Sequence, residues 1–510
     1  MNYFSDNSSL DFYLRHPDRT NSSEASAAGQ ALARLGRIAA ETVAPHAGTA
    51  DAAGPSLCDG QVRYALPTQE NFSALAEAGL FGLSIGCEYD GLGFSRTVSL
   101  LAAEVLARAD LGFAALWSLQ DCAEIIARFG SPEQRRRYLP RIAAGASCSM
   151  DLTEPSAGSD LQSVRLTATR DEASGSWRLN GMKRFITNGG ADIHLVLART
   201  EPGTTDGRGL SLFLYDRSDG GLEVRRLVRK MGICGTPTAA LAFHNAPAQL
   251  VGDRRMGLIK YVMALMSNAR LGVAAQAAGL CEACWREAAR YAAGRRQFGR
   301  PVGELAQVAE LLGAMRARTD AVRSLLFFAA RQADMAEVSK PAARLAELLT
   351  PLAKFAASEL ANRSAYDCVQ VHGGCGYMQG TASERFYRDA RVLSLYEGTS
   401  QMQVVAATKG IGSGAYDELL GTMRARITAQ PLDAVQRDSL ELLSQGAAAY
   451  HENAGKAADG VVGHSLRSLA EQAALLIMGH QLLLDSTFRP ALTLSCRTFV
   501  GRAADRAWRL

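Results

Sequence analysis

Apolar positions along the chain change period twice, and those changes divide it. From about residue 31 to residue 146 they recur at helical spacing: Leu32, Leu35, Ile38 and Ala39, then Phe72, Leu75 and Leu80, then Leu101, Val105 and Leu106. Asp90-Gly91-Leu92-Gly93 punctuates this region as a loop. Between Ser147 and Val251, alternation and turn signals take over. Segments 165–169 and 177–180 read as strands joined by a turn over 171–175, and 193–198, 210–214 and 222–224 continue the series. Short strands at this spacing predict a small β-domain, a barrel or a sandwich. After Met256 the helical period returns as far as Gly410, and segments 273–293 and 308–336 are each long enough for a bundle helix. Residues 411–510 are helical again, with a turn at Gln430-Pro431. The predicted order is an N-terminal arm (1–30), a helical domain (31–146), a β-domain (147–255), a helical bundle (256–410) and a further helical region (411–510). The arm is expected to be irregular and to dock through Leu10, Phe12, Tyr13 and Leu14. The fold class is mainly α with a central β-domain.

Composition narrows the function only at its edges. Hydrophobic content of 47%, charged content of 21% and a net charge of +4 are those of an ordinary globular chain and do not call for nucleic acid. Residues 431–510 carry eight basic against eight acidic side chains, which argues against a nucleic-acid-binding tail. The arginines of segment 133–141 (Arg135, Arg136, Arg137 and Arg141) are expected on a solvated helix face. The start has no basic, apolar secretory pattern, and the apolar run 473–479 is too short to span a bilayer. That run is expected to pack in a core, with no stable membrane insertion. Ten cysteines fit a reducing cytoplasm. Cys281 and Cys284 form a lone C-x-x-C on a helical pattern without a second pair, so no metal is expected.

Five stretches carry candidate chemistry. In Tyr396-Glu397-Gly398-Thr399-Ser400-Gln401 a carboxylate precedes a glycine that lets backbone approach a ligand. The same residues also read as a helix start capped by Thr399 or Ser400, and both readings can hold together. Leu152-Thr153-Glu154-Pro155-Ser156-Ala157-Gly158-Ser159-Asp160 offers hydroxyls and open backbone, or simply a Pro/Gly loop. Phe185-Ile186-Thr187-Asn188-Gly189-Gly190 leads an aromatic and a hydroxyl into a turn. Arg295-Arg296-Gln297-Phe298-Gly299 pairs cations with a ring suited to an anionic dinucleotide, or is a charged helix end with one packed ring. Gln370-Val371-His372-Gly373-Gly374 is a glycine-rich turn after a helix, whose histidine reads more readily as structural than catalytic. There is no nicotinamide-type fingerprint and no P-loop.

Taken in order, and with Ser267-Asn268-Ala269-Arg270 and Arg388-Asp389-Ala390-Arg391 between them, these motifs resemble the acyl-CoA dehydrogenase family of flavoproteins over about residues 31–410. The resemblance implies an N-terminal helical domain, a β-barrel and a C-terminal four-helix bundle, here with a C-terminal helical extension like that of the larger subgroup containing methylthiopropionyl-type enzymes. It implies FAD as cofactor, an acyl-CoA substrate, and Glu397 as the base that removes the α-proton while the β-hydrogen leaves as hydride to the flavin. Ala269 stands where some relatives place the base instead. By the same carry-over, Leu152, Thr153, Gly158, Ser159, Phe185, Ile186 and Thr187 line the flavin, with Phe185 in place of a common tryptophan. Arg295, Gln297 and Phe298, with Gln370, Val371, His372, Gly373 and Gly374, reach the flavin of a neighbouring subunit. Thr399 and Gln401 hold the adenosine diphosphate. Ser159, Ser267, Arg270, Tyr396 and Gly398 contact the substrate, Ser267 replacing a common aspartate. Segment 111–117 lacks the arginine that holds a distal carboxylate in glutaryl-type members, and Trp117 there is read either as a cap on the acyl slot or as core. The implied partners are an electron-transfer flavoprotein and a second copy of the chain, a dimer ahead of a tetramer. A flavin oxidase or monooxygenase, or a non-catalytic member of the same fold, is the alternative.

Overall fold

The computed structural model describes residues 1–18, 24–172, 175–458 and 465–506, so the turn expected over 171–175 lies partly outside it. The chain forms two compact units, Met1–Ala269 and Arg270–Leu510.

The first unit opens with α1 (Ser8–Leu14) where an irregular arm was expected: the Asn7 side chain accepts the Ser9 amide and starts the helix. Leu10, Tyr13 and Leu14 are buried, and the buried Arg108 fixes the arm by pairing with Asp6 at 2.6 Å and lying 3.7 Å from the Tyr3 ring centre. Then follow α2 (Ala25–Ile38), α3 (Ala44–Ala53), a hairpin of β1 (Ser56–Cys58) and β2 (Gln61–Arg63), α4 (Leu66–Glu77), α5 (Arg96–Ala109), α6 (Leu111–Trp117), α7 (Cys122–Phe129) and α8 (Pro132–Ala143). A capping box between Ser131 and Gln134, with Pro132 next, sets where α8 begins. Trp117 is core: it is 3% exposed, and its indole N–H donates to the Leu80 carbonyl at 3.0 Å.

The β-domain is a barrel. Its strands are β3 (Cys148–Asp151), β4 (Thr167–Arg170), β5 (Trp177–Thr187), β6 (Ile193–Arg199), β7 (Leu210–Asp216), β8 (Leu222–Leu227) and β9 (Thr238–Leu250). Pairing runs β4–β5–β9–β7–β6 and returns to β4, with β3 on β6 and β8 on β9. Strand alternation explains its two cores. Ile193, Leu195 and Leu197 of β6 pack with Ile125, Ile126, Tyr138 and Leu139 of the helices, while Val196 and Ala198 face a second cluster with Phe213, Tyr215 and Phe243.

Two of the α8 arginines are not merely solvated. Arg141 and Arg137 reach Asp216, which is 2% exposed, at 2.5 and 3.3 Å. Burial alone would raise the Asp216 pKa, but hydrogen bonds from Arg141 and Ser218 outweigh it and bring it down to about 2. The contribution to stability is therefore present above the ordinary carboxylate range and lost as pH falls towards 2.

The second unit is helical. It holds most of α9 (Met263–Gly294), a hairpin of β10 (Arg296–Gln297) and β11 (Arg300–Pro301), then α10 (Ala306–Met335), α11 (Lys340–His372), α12 (Gly374–Tyr377), α13 (Ala382–Ala390), α14 (Ser400–Gly412), α15 (Ala415–Thr428), α16 (Ala434–Ala458), α17 (Leu466–Phe488) and α18 (Thr493–Arg506). The apolar run in α17 is core, with Ala473, Leu476, Ile477 and Met478 fully buried. No helix among the described residues is long and apolar enough to cross a membrane.

Replacing Asp216 by Asn should cost about 2 kcal/mol at neutral pH. Melting curves of the two proteins should differ fully at pH 7 and converge as pH falls below about 4. A gap independent of pH would mean that the ion pair is not its source.

Candidate active site

Glu397 sits in the second unit, between a 3-10 turn (Arg391–Ser394) and α14. It has φ +54° and Gly398 has φ +87°, so two consecutive residues are left-handed. For glutamate that conformation is strained and persists only where surrounding contacts impose it. Those contacts converge on the turn. Lys354 Nζ donates to the Gly398 carbonyl at 2.8 Å, and Gln403 Nε2 donates to the same oxygen at 2.9 Å and to the Glu397 carbonyl at 3.2 Å. Upstream, Ser358 Oγ holds the Leu393 carbonyl at 2.9 Å and Asn362 Nδ2 the Ala390 carbonyl at 3.0 Å. Downstream, Thr399 caps α14 by accepting the Met402 amide, and Ser400 Oγ donates to Glu359 at 2.6 Å. The expected helix start and the presented carboxylate are thus one structure.

The Glu397 side chain is half-buried, and its own N–H has no hydrogen-bond partner among the described residues. Desolvation raises its pKa, and the positive charges of Lys354 and Arg270 oppose that rise. Burial in turn lowers Lys354 to about 8 and also lowers Arg270, each partly offset by Glu397. Arg270 Nε is buried without a hydrogen-bond partner among the described residues, a donor left for an anion. Tyr396 donates its hydroxyl to Gln276, and burial raises its pKa well above the usual value. Ser267 is exposed on α9, three positions before Arg270, and Gln401 is exposed on α14.

Most of the other motif residues of this unit lie at its surface. Arg295, Gln297 and Phe298 are exposed on the β10–β11 hairpin; Phe298 is 88% exposed, so the ring is not packed on a helix end. Gln370, Gly373 and Gly374 are also exposed, and Val371 is half-buried. His372 turns inward. Its Nδ1 pairs with the Cys368 carbonyl at 2.8 Å, its Nε2 lies 3.5 Å from Glu287, and its ring stacks on Tyr291. Burial alone would lower its pKa, but hydrogen bonds to Cys368 and Glu287 lift it to about 10. Cys281 and Cys284 are buried on α9.

In the first unit, Leu152 and Ile186 are core side chains, so they offer a ligand only their backbone. Thr153 and Thr187 are half-buried, their hydroxyls without partners among the described residues; Gly158 and Ser159 are exposed. Phe185, at φ +60°, stands 51% exposed beside them. The loop beneath is pinned by an ion pair that sequence reasoning missed. Lys183 Nζ, fully buried, donates to Glu154 at 2.9 Å and to the Leu152 carbonyl at 3.0 Å, while Glu154 also accepts the Arg165 and Leu166 amides. Burial lowers the Lys183 pKa against the pull of Glu154. Lys354, also missed, had one signal: a charge inside the apolar segment 352–357.

Family models named acyl-CoA dehydrogenase N-terminal, middle and C-terminal domain match residues 29–146, 149–246 and 259–412. The chain is 35% identical over 405 residues to 3-methylmercaptopropionyl-CoA dehydrogenase of Ruegeria pomeroyi, covering 73% of this chain and 68% of that one. It is 29% identical to the solved butyryl-CoA dehydrogenase of Megasphaera elsdenii, with a TM-score of 0.68 and coverage of 75% and 97%. Caenorhabditis elegans ACDH-11 in complex with C11-CoA shares the fold over 98% of this chain and 91% of its own, with a TM-score of 0.85 at 20% identity. A chain with these three domains in this order belongs to the acyl-CoA dehydrogenase family. It is an FAD-dependent oxidoreductase, and the helices beyond residue 412 extend the family's domains.

The unpartnered Thr153 and Thr187 hydroxyls, the exposed Phe185 ring and the open backbone at Gly158 fit a flat, hydrogen-bonding cofactor. Lys183→Met should cost about 3 kcal/mol by leaving Glu154 buried without its countercharge. Adding Glu154→Gln should recover at least about 1 kcal/mol. Urea denaturation of Lys183→Met, Glu154→Gln and the double variant measures this coupling, and strictly additive losses would contradict it.

Proposed function

We propose that Glu397 removes the α-proton of an acyl-CoA thioester, the step that commits it to becoming the trans-2-enoyl-CoA. The observation that carries this reading is the half-buried carboxylate on a strained turn whose own amide is unpartnered. Desolvation makes the carboxylate a stronger base, while Lys354 and Arg270 keep enough of it ionised to act. The free Glu397 N–H donates to the thioester carbonyl oxygen and stabilises the negative charge that develops there, which acidifies the α-carbon. FAD, when bound, supplies the acceptor for the β-hydrogen as hydride. Ala269 has no group that could replace the carboxylate.

Arg270, with its unpaired Nε, binds the CoA portion, helped by Ser267, Ser159, Tyr396 and Gly398. Thr153, Ser159, Phe185 and Thr187, with the backbone of Leu152, Gly158 and Ile186, hold the flavin on the β-domain. Thr399 and Gln401 hold the diphosphate at the start of α14, where helix amides favour anions. The exposed Arg295, Gln297 and Phe298, with Gln370, Val371, Gly373 and Gly374, meet the cofactor of a second copy in a homodimer; His372 supports that turn from inside. An electron-transfer flavoprotein takes the electrons, a role that rests on the family resemblance. The Ruegeria pomeroyi relative makes methylthiopropionyl-CoA a substrate to try, beside straight-chain, branched and aryl-propionyl thioesters.

Anaerobic mixing with this panel should bleach the visible flavin band with at least one compound. Glu397→Gln should keep its flavin yet be reduced roughly 10²–10⁴-fold more slowly. A Gln variant reduced at the normal rate would remove Glu397 as the base.

A further inference from the structure

Lys354 is a costly residue to bury. Its side chain is fully inaccessible, in a stretch of α11 where Leu352, Ala353 and Phe355 are buried as well. The ammonium has three donors and, among the described residues, makes one hydrogen bond, to the Gly398 carbonyl. Methionine would occupy similar space without losing hydration, so packing alone does not account for a charge here. What the charge faces is the strained turn. The charged groups acting on Lys354 are Glu397 on that turn, Arg270 on α9 and Glu359 on α11 itself; Tyr396, next to Glu397, feels Asp389 on α13, and Gln403 approaches the turn from α14 uncharged.

We propose that Lys354 is a positioning residue for Glu397, holding the left-handed Glu397–Gly398 peptide in place and keeping the neighbouring carboxylate ionised. This rests on Glu397 being the base. The division of labour follows from the geometry. Gln403 shares the Gly398 carbonyl and can hold the turn's backbone, but it brings no charge. Arg270 brings charge, but among the described residues it makes no hydrogen bond to the turn's backbone, and it is the group assigned to the substrate. Of these three residues, Lys354 does both. Its positive charge favours the charged form of Glu397, so removing it should raise the pH at which that carboxyl loses its proton.

The test uses the flavin-loaded protein with ¹³C-carboxyl-labelled glutamate, the Glu397 resonance being identified by its loss in Glu397→Gln. In Lys354→Met and Lys354→Gln the Glu397 midpoint should move up by about one pH unit or more, and in Lys354→Arg it should stay near that of the unaltered protein. With the acyl-CoA that bleaches the flavin, the acidic limb of the reduction rate should shift by the same amount. Below that limb the maximal rate should fall about tenfold while KM changes little. Gln, which retains a donor for Gly398, separates the charge from the hydrogen bond.

An unchanged midpoint in both neutral variants overturns the proposal. So does failure of both to fold while Lys354→Arg folds with slow reduction and an unshifted limb, since the ammonium would then be structural. If Glu397→Gln reduces its flavin normally, the base assignment falls and takes this proposal with it. If Glu397→Gln is silent and the lysine variants titrate normally, only the lysine proposal falls.

Discussion

The turn at Glu397 and Gly398 is the constraint on which the proposed chemistry of the helical unit depends. Two successive left-handed residues, one of them not glycine, store strain on the order of 1–3 kcal/mol. The chain on either side is fixed before the turn begins and after it ends, by Ser358 and Asn362 on one side and by the Thr399 cap on the other. Lys354 and Gln403 close the remaining freedom by converging on one carbonyl. A carboxylate held this way needs little reorganisation when a substrate arrives, and its unpaired amide is already available.

The barrel uses a related device. Phe185 and Asn188 are left-handed, and a bulge in β5 falls between Lys183 and Ile186. Asn188 is tied through its amide to the Pro237 carbonyl and through its side chain to the Cys148 carbonyl and the Tyr64 hydroxyl. The Lys183–Glu154 pair fixes the loop opposite. In both units an irregular backbone presents exposed or half-buried polar groups, and a buried lysine beneath it anchors carbonyl oxygens. Breaking the Lys183–Glu154 pair on one side leaves a buried charge without compensation.

Periodicity made much of this legible. Strands β6 and β7 are short apolar runs bounded by turn signals and buried on both faces, and α9 and α10 follow helical-period segments long enough for bundle helices. Strand β9 was not visible, because Ala239, Ala240 and Ala242 have low strand propensity and Pro247 reads as a breaker; its pairing with β5, β7 and β8 decides the matter. Helix α1 was hidden because it is short: seven residues, whose buried Leu10, Tyr13 and Leu14 pack towards α2 and α5. The candidate residues carried local motifs, and those motifs located Glu397. Their supports did not: Lys354 meets Gly398 across 44 residues and Lys183 meets Glu154 across 29, distances at which no local pattern reports a contact. His372 shows the converse, a motif residue whose ring the fold spends on Cys368, Glu287 and Tyr291.

The most direct test of the central claim isolates proton removal from everything that follows it. An acyl-CoA analogue with sulfur in place of the β-carbon cannot lose a β-hydride, so any chemistry it undergoes at the α-carbon is acid–base chemistry. Incubated in deuterium oxide with the flavin-loaded protein, it should take up deuterium at the α-carbon, and the Glu397→Gln protein should leave it unlabelled. Equal labelling by both proteins would contradict the account, because the α-proton would then be leaving to some other base.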